Sequence, residues 1–244
     1  MNPNIWASPD IYEGFLNSDK SIKILAFDTA ANACSAALWV AGDVVAARHE
    51  VMVRGQAEAL APMIADLFEE APVLRDGFAE LDAISVTVGP GTFTGVRIGL
   101  AMARALALPR QLPIIGLTTI DAVHWQSPTV KTPLLVALET KRDDFYIQLF
   151  DHAGTAAMAP SALTAEQVLA HLPSEPVTLV GDGAERLALA LAEAGGPNSQ
   201  SIGSIMPIAG EFVALAAERL QNGVLGDAEP LYLRSPSVTL PATK

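Results

Sequence analysis

Three short apolar runs separated by polar turns open the regular part of the chain. They cover Ile22–Phe27, Cys34–Val40 and Val44–Val51. Apolar runs of this length, bounded by turn residues, predict β-strands. The residues Ala41-Gly42-Asp43 lie between the last two runs and predict a hairpin turn.

The pattern then changes to a helical period. In Gln56–Glu70 the apolar residues Leu60, Ile64 and Leu67 recur at the spacing of one helix face. Pro62 lies inside this predicted helix, where it removes one backbone hydrogen bond. Strands and helices alternate afterwards: the pattern predicts a strand at 83–88, a helix at 95–108, a strand at 113–116 and a helix that begins at Thr119.

The same order of elements recurs from Pro133 onward. Thr164 and Gln167 match the capping-box pattern at the start of a helix. The predicted elements are strands at 134–139, 144–151 and 156–163, a helix at 164–171, a strand at 177–180, a helix at 184–194, an extended segment at 201–206 and a helix at 208–220. Each half is therefore predicted to be β-β-β-α-β-α-β-α. This α/β repeat is typical of the duplicated ribonuclease-H-like fold of the actin-like ATPases.

The repeat also predicts a domain organisation. We expect residues 1–21 to be a disordered N-terminal extension, because they show no apolar period. We expect residues 22–121 with 208–225 to form the first subdomain, residues 122–207 the second, and residues 226–244 a C-terminal tail.

Charge and cysteine content exclude several classes of protein. The chain has 244 residues with 15 Lys and Arg against 27 Asp and Glu, which gives a formal net charge of −12. Such an acidic balance argues against direct, tight binding of nucleic acid. The single cysteine, Cys34, excludes an internal disulfide, and we expect it to be a small buried hydrophobe. We expect a cytoplasmic protein without a membrane span, since no leader peptide and no long apolar run is visible.

Three sequence motifs are candidates for nucleotide chemistry. Asp28-Thr29 follows the first strand, where an Asp can hold Mg²⁺ through water, but both residues are also common turn caps. The run Gly89-Pro90-Gly91-Thr92-Phe93-Thr94-Gly95 permits close approach to a ligand or to another backbone, and Thr94 is a candidate helix cap. Gly181-Asp182-Gly183 precedes a helix in the second half, where an adenosine loop or an ordinary tight turn would lie.

Two helices carry small residues at a spacing of four. Ala57, Ala61 and Ala65 form one such stripe, and the other consists of Gly95, Gly99, Ala103 and Ala107. Stripes of this kind permit close helix packing, either on the protein's own sheet or on a second chain. Arg54 with Glu58, and Arg97 with Arg104, would then be contacts at such an interface or ordinary solvated charges.

Metal chemistry is not indicated. The histidines at 49, 124, 152 and 171 are never three to five residues apart, so no helical zinc pair exists. This argues against a metallopeptidase. A kinase would need a carboxylate base at the cleft, and Glu139 is the best candidate because it ends the first strand of the second half.

Several of these segments together resemble one known family. The segments are residues 24–30 (ILAFDTA), 34–38 (CSAAL), 54–64 (RGQAEALAPMI), 89–98 (GPGTFTGVRI) and 230–234 (PLYLR). They are similar to the TsaB (YeaZ) family over roughly residues 22–235. The chain departs from the family pattern at Ala57, where Ser is usual, and at Glu139-Thr140-Lys141, where Asp-Ala-Arg is usual. The first 20 residues have no counterpart in the family.

The resemblance implies an accessory role in tRNA modification. Members of the family support formation of N6-threonylcarbamoyladenosine at position 37 of tRNAs that read codons beginning with A. Catalysis belongs to the paralogue TsaD, which carries a metal-binding His-x-x-x-His, whereas this chain has Arg54 and Glu58 in that region. The resemblance implies that TsaD or a second copy docks on the first two helices, and that the ATPase TsaE joins the pair. The implied interface residues are Arg54, Glu58, Leu60, Met63, Ile64, Arg97, Leu100, Ala101 and Arg104.

The sequence therefore favours a non-catalytic scaffold that activates TsaD, without catalytic or metal-binding residues of its own. The nucleotide loops are expected to be vestigial; they comprise Asp28, Thr29, Gly89, Gly91, Thr92, Thr94, Gly181, Asp182 and Gly183. We expect no required cofactor, with weak binding of ATP or ADP left open, and contact with tRNA only through the complex. The alternative hypothesis is an active actin-like ATPase or small-molecule kinase.

Overall fold

The computed structural model describes residues 22–234, and its first half follows the predicted order of elements. The predicted extension 1–21 and residues 235–244 of the tail lie outside the described residues. The elements of the first half are β1 (Lys23–Asp28), β2 (Ala33–Val40), β3 (Asp43–Val51), α1 (Gln56–Glu70), β4 (Ala83–Thr87), α2 (Phe93–Ala107), β5 (Ile114–Leu117) and α3 (Thr119–Gln126).

The second half repeats that order. Its elements are β6 (Leu134–Glu139), β7 (Asp144–Phe150), β8 (Ser161–Thr164), α4 (Ala165–Leu169), β9 (Val177–Val180), α5 (Ala184–Glu193), β10 (Ser199–Ser201) and α6 (Ala209–Gln221). Two predicted strands are misplaced. The third strand of this half was predicted at 156–163, but β8 covers only Ser161–Thr164. The extended segment was predicted at 201–206, but β10 covers Ser199–Ser201 and shares only Ser201 with it. Neither segment has the alternating apolar pattern that locates a half-buried strand.

The two sheets have the same topology. The first sheet has the order β3-β2-β1-β4-β5, and the second has the equivalent order β8-β7-β6-β9-β10. In the first sheet, β1, β2 and β3 pair antiparallel, whereas β4 pairs parallel with β1 and β5 pairs parallel with β4. The second sheet repeats this pattern: β6, β7 and β8 pair antiparallel, whereas β9 pairs parallel with β6 and β10 pairs parallel with β9. The chain therefore has the predicted duplicated ribonuclease-H-like, actin-like fold. We call the first sheet with α1 and α2 the first lobe, and the second sheet with α4 and α5 the second lobe.

Local sequence explains the sharpest features of the first lobe. Ala41 and Gly42 adopt positive φ angles of 54° and 103°, the two-residue conformation that matches hairpin twist. Helix α1 continues through Pro62, whose ring is exposed to solvent. The core under α1 and α2 contains the large apolar residues Phe27, Leu60 and Leu100.

The opposite face of the first sheet is covered by α6. Phe212 and Val213 pack in one cluster with Ile24 and Ala26 of β1. Helix α3 lies between α6 and the second sheet. Its Ala122 belongs to the cluster of α6, whereas Ile120 and Val123 join Val136 and other residues of the second sheet. After the second sheet, the chain thus returns to the first sheet with α6. The domain boundaries proposed from the sequence stay a prediction. Within residues 22–234, no helix has the length and apolar character required to traverse a bilayer.

Candidate functional site

A cleft lies between the lobes, beyond the carboxyl ends of β1, β4, β6 and β9. Its cavity measures about 110 Å³. The lining includes residues 30–32 and 90–92 of the first lobe, residues 138–141 with Tyr146 and Asp182 of the second, and Thr119 and 205–207 between them. Ligands of open α/β sheets bind at such an edge, so this is where the predicted nucleotide loops meet.

Asp28 and Thr29 face the protein interior and do not line this cleft. Asp28 is fully buried and accepts hydrogen bonds from the Ala30 amide at 3.1 Å and from the Thr87 hydroxyl. Its Oδ2 atom has no partner among the described residues. Burial raises the pKa of Asp28 to about 6, against the lowering effect of these hydrogen bonds. The Thr29 hydroxyl donates to the Gly95 carbonyl at 2.7 Å, so both side chains serve internal contacts.

The glycine-rich loop packs on the chain's own backbone. A Cβ atom on Gly91 would overlap the carbonyl oxygen of Ala30. The Thr92 amide donates to that same oxygen at 2.8 Å. The sequence predicted that this loop approaches either a ligand or another part of the backbone. The structure shows the second: the loop packs on the turn between β1 and β2. Gly89 has a φ angle of 97°, which only glycine adopts readily.

The prediction that Thr94 caps the following helix is wrong. Helix α2 begins earlier, at Phe93, and Thr92 is its N-cap. The Thr92 hydroxyl accepts a hydrogen bond from the Gly95 amide at 3.1 Å. Two threonines two residues apart are equally good candidates from sequence, and the packing of Gly91 on Ala30 decides between them. Thr94 is exposed on the first turn of α2 and does not line the cleft.

The loop Gly181-Asp182-Gly183 packs on the backbone of β6 in a similar way. A Cβ atom on Gly181 would overlap the carbonyl oxygen of Ala137, and the Gly183 amide donates to that oxygen at 3.0 Å. Asp182 accepts a hydrogen bond from the Glu139 amide at 2.9 Å. Asp182 lines the cleft, and burial raises the pKa of its carboxyl group. Of the nine predicted loop residues, the cleft lining contains Gly91, Thr92 and Asp182.

Glu139 forms a bidentate ion pair with Arg186. Arg186 donates from Nε and Nη2 to its two carboxylate oxygens, each at 2.8 Å. The Lys141 amide donates to Oε1 at 2.6 Å. Although burial acts to raise it, the hydrogen bonds from Arg186 and Lys141 hold the pKa of Glu139 below its ordinary value. A carboxylate stabilised in this way is a weak general base, which disfavours the kinase hypothesis.

The implied interface residues divide into two groups. Four of them are buried in the core of the first lobe: Leu60, Met63, Ile64 and Leu100. We correct these four from partner contacts to core residues, because burial on their own sheet leaves no surface for another chain. Arg54, Glu58, Arg97 and Ala101 are exposed, and Arg104 is half-buried.

The two stripes of small residues face opposite ways. Ala57, Ala61 and Ala65 are exposed along α1. The stripe of α2 is buried: a Cβ atom on Gly95 would overlap the Thr29 carbonyl oxygen, and one on Gly99 would lie 3.0 Å from Val86. Close packing on the protein's own sheet therefore explains the α2 stripe, while the α1 stripe remains available to solvent.

Residues near the C-terminus contribute contacts that sequence reasoning missed. Tyr232 meets Phe93 and Arg97 on α2, and Arg234 reaches Asp144 and Tyr146 on β7. The signal was present, since 230–234 is one of the segments that carries the family resemblance, but sequence alone assigned it no role.

Other titratable groups have structural surroundings. Cys34 is buried as predicted, and burial raises the pKa of its thiol to about 12. His124 stacks on Phe150 with ring centroids 3.8 Å apart, and His152 pairs with Glu175. Across residues 22–234, no three His, Cys, Asp or Glu side chains are grouped so that they could hold a metal ion.

Comparisons with known proteins agree on one biological context. The family model described as TsaD, tRNA N6-adenosine threonylcarbamoyltransferase, matches residues 44–203. The tRNA threonylcarbamoyladenosine biosynthesis protein TsaB of Escherichia coli K12 is 30% identical over 228 residues, which cover 88% of this chain and 95% of that protein. TsaB of Haemophilus influenzae is 33% identical over 104 residues, covering 43% of this chain and 42% of that protein. The solved structure of YeaZ from Pseudomonas aeruginosa is 26% identical with a TM-score of 0.72, and the match covers 87% of this chain and all, 100%, of the other.

Proposed function

Since the chain belongs to the TsaB (YeaZ) family, we propose that it is a non-catalytic subunit that docks on and activates TsaD. Its TsaB relatives support a role in the biosynthesis of tRNA threonylcarbamoyladenosine. In this proposal TsaD transfers the threonylcarbamoyl group to adenosine 37 of tRNAs that read codons beginning with A, and TsaE joins the pair. The observation that carries the proposal is the exposed stripe of Ala57, Ala61 and Ala65 on α1.

The shape of this surface supports docking by another helical face. Helices α1 and α2 cover the same side of the first sheet, and their inward residues share one core. Their outward residues include the three alanines of α1 and Ala101 of α2. Small side chains let a second pair of helices approach closely. The exposed charges of Arg54, Glu58 and Arg97 lie on the same helices or beside them, where rim contacts are expected.

The state of the cleft supports a role without catalysis. Both glycine loops are packed on backbone carbonyls of their own lobe, Asp28 is buried away from the cleft, and Glu139 is neutralised by Arg186. A working phosphotransferase needs free loop amides around the phosphates and a base with access to the substrate hydroxyl. The alternative of an active ATPase or kinase is therefore the weaker hypothesis.

The charge balance supports indirect contact with tRNA. A net charge of −12 opposes association with phosphates, so in this proposal the partners supply the contact with tRNA. We place the assembly in the cytoplasm. The same surface of α1 and α2 would serve a second copy of this chain when TsaD is absent, which makes a homodimer and the heterodimer mutually exclusive.

Charge insertion on the two helices tests the docking surface. We expect Ala61→Glu and Ala101→Glu each to reduce co-purification with tagged TsaD at least tenfold, because each places a charge within a close helical contact. The melting temperature should stay near that of the wild type, since both side chains are exposed.

Two further variants complete that experiment. Ala192→Glu adds the same charge at an exposed position of α5 in the second lobe and should bind TsaD normally. Leu60→Glu should fail to fold, because its side chain is buried at 0% exposure. Wild-type binding by both Ala61→Glu and Ala101→Glu would refute the proposed surface.

A further inference from the structure

The C-terminal strap, residues 228–234, is fixed along the first lobe. The Leu231 amide donates to the carbonyl of Val88 at 2.7 Å, which continues the hydrogen bonding at the end of β4. Arg104 of α2 donates from Nη2 to the Ala228 carbonyl at 2.7 Å and to the Glu229 carboxylate at 2.8 Å. The strap therefore runs from the side of α2 toward its first turn.

At the first turn of α2 the strap is held by aromatic contacts. The rings of Phe93 and Tyr232 are stacked with centroids 5.6 Å apart. The guanidinium carbon of Arg97 lies 3.5 Å from the Phe93 centroid, and its Nε donates to the Tyr232 hydroxyl at 2.9 Å. Stacking on Phe93 and the hydrogen bond from Arg97 together fix the orientation of Tyr232 on the helix.

Two residues further on, the strap contacts the second lobe. Arg234 forms an ion pair with Asp144, and its guanidinium carbon lies 5.5 Å from the ring centroid of Tyr146. Both Asp144 and Tyr146 belong to β7. The paired side chains are only 21% and 20% exposed, so solvent screens this ion pair less than a surface pair. A cavity of about 380 Å³ lies under the strap, between Thr92, Thr140 and Tyr146.

The lobes are also joined through α3. This helix packs on the second sheet through Ile120 and Val123, and the Ile208 amide donates to the Gln126 side chain at 3.2 Å. Residues 205–207, which precede Ile208, line the cleft. A two-lobed molecule joined at one end retains freedom to open at the other unless a second contact closes it.

We propose that the strap is a latch that holds the second lobe in a fixed orientation relative to helix α2, with Arg234 as the residue that closes it. The latch requires no ligand in the cleft. Its action does not depend on docking of another chain, so it is measured on the isolated protein and succeeds or fails separately from the proposed function.

Distance measurement between the lobes tests the latch. Spin labels are attached to cysteines introduced at the exposed positions Arg75 in the first lobe and Ala192 in the second. Cys34 stays unlabelled, because it is buried and burial raises the pKa of its thiol to about 12. We expect double electron–electron resonance to give one narrow distance distribution for the parent protein. In Arg234→Ala the distribution should become at least twice as wide or acquire a second maximum.

A second variant and a matched control decide the outcome. Asp144→Asn removes the same ion pair from the second lobe and should broaden the distribution too, which keeps the test decisive if Arg234→Ala does not fold. Arg48→Ala removes an ion pair with Glu70 that lies wholly within the first lobe, and should leave the distribution unchanged. The latch is overturned if Asp144→Asn and any folded Arg234→Ala keep the narrow distribution, or if Arg48→Ala broadens it equally.

Discussion

Asp28 keeps one carboxylate oxygen hydrogen-bonded to the Ala30 amide and the Thr87 hydroxyl, while its other oxygen has no partner among residues 22–234. The neighbouring Thr29 hydroxyl binds the Gly95 carbonyl, and the Glu139 carboxylate binds Arg186. The polar groups that suggested nucleotide chemistry are therefore mostly occupied by contacts within the chain. Asp28 is the exception, because its charged form is buried without full compensation.

The raised pKa of Asp28 predicts a specific pH dependence of stability. The folded-state pKa is about 6 against an ordinary value of 3.8, so the folded chain binds more protons than the unfolded chain between these limits. The stability contribution of this group is therefore lost as the pH rises through that window. Asn in this position keeps an acceptor for Ala30 and Thr87 without a charge.

We expect the free energy of unfolding of Asp28→Asn, relative to the wild type, to increase between pH 4 and pH 6 by about 2 kcal/mol. Urea denaturation at a series of pH values measures this difference, and the contributions of all other carboxylates cancel in it. A difference that is constant over the whole range would show that Asp28 titrates normally in the folded protein.

Helix α2 illustrates how glycine sets the distance between two elements. The helix approaches the end of β1 so closely that Gly95 meets the Thr29 carbonyl and Gly99 meets Val86. The Thr29 hydroxyl then bonds the Gly95 carbonyl, which fixes the register of the helix on the sheet. This packing also brings the first turn of α2 within reach of the strap, so one close helix–sheet contact positions Phe93 and Arg97.

Alanine in place of Gly95 should separate α2 from β1. Alanine is ordinarily the better helix former by about 1 kcal/mol, but here its Cβ atom would overlap the Thr29 carbonyl oxygen. We expect Gly95→Ala to lower the free energy of unfolding by about 1–3 kcal/mol, the usual cost of overpacking. Thr94→Ala, at an exposed position of the same turn, should change it by less than about 0.5 kcal/mol. Equal stability of Gly95→Ala and the wild type in urea denaturation would contradict the close approach.

The whole molecule combines an actin-like architecture with a cleft whose glycine-rich loops are packed on the backbone of their own lobes. The two lobes meet at α3 and residues 205–207, and again at the strap. The cavity of about 110 Å³ is lined by residues of both lobes. The exposed surface of α1 and α2 lies on the outer side of the first sheet, so docking there does not require an open cleft.

Because the amides of the two glycine-rich loops donate to the chain's own carbonyls, we expect the isolated chain to bind nucleotide poorly. Loop amides that would contact phosphates are turned toward the chain itself, as with Thr92 bonded to Ala30 and Gly183 bonded to Ala137. We expect isothermal titration calorimetry with Mg²⁺ and ATP to give no binding heat up to millimolar ATP. Binding with a stoichiometry near one would restore the hypothesis of an active ATPase or kinase.

The duplicated order of elements was predictable from the sequence because it depends on local periods. The helical spacing of Leu60, Ile64 and Leu67 located α1, and the capping box of Thr164 and Gln167 located the start of α4. The segments that failed, the predicted strands 156–163 and 201–206, lack such a period. Their positions are set by pairing with a neighbouring strand far away in the chain.

The sequence by itself determined the repeat, the acidic charge, the buried state of Cys34 and the segments that bear chemistry. Only the tertiary structure decided which way each segment faces. The alanine stripe of α1 and the glycine–alanine stripe of α2 have the same spacing, yet one is exposed and the other is packed on β1 and β4. A repeat of four residues indicates that side chains share one face of a helix. The way the helix packs on the sheet decides whether that face is buried in the core or exposed to solvent. The contacts of Tyr232 and Arg234 likewise depend on residues about 90 to 140 positions away, which no local pattern encodes.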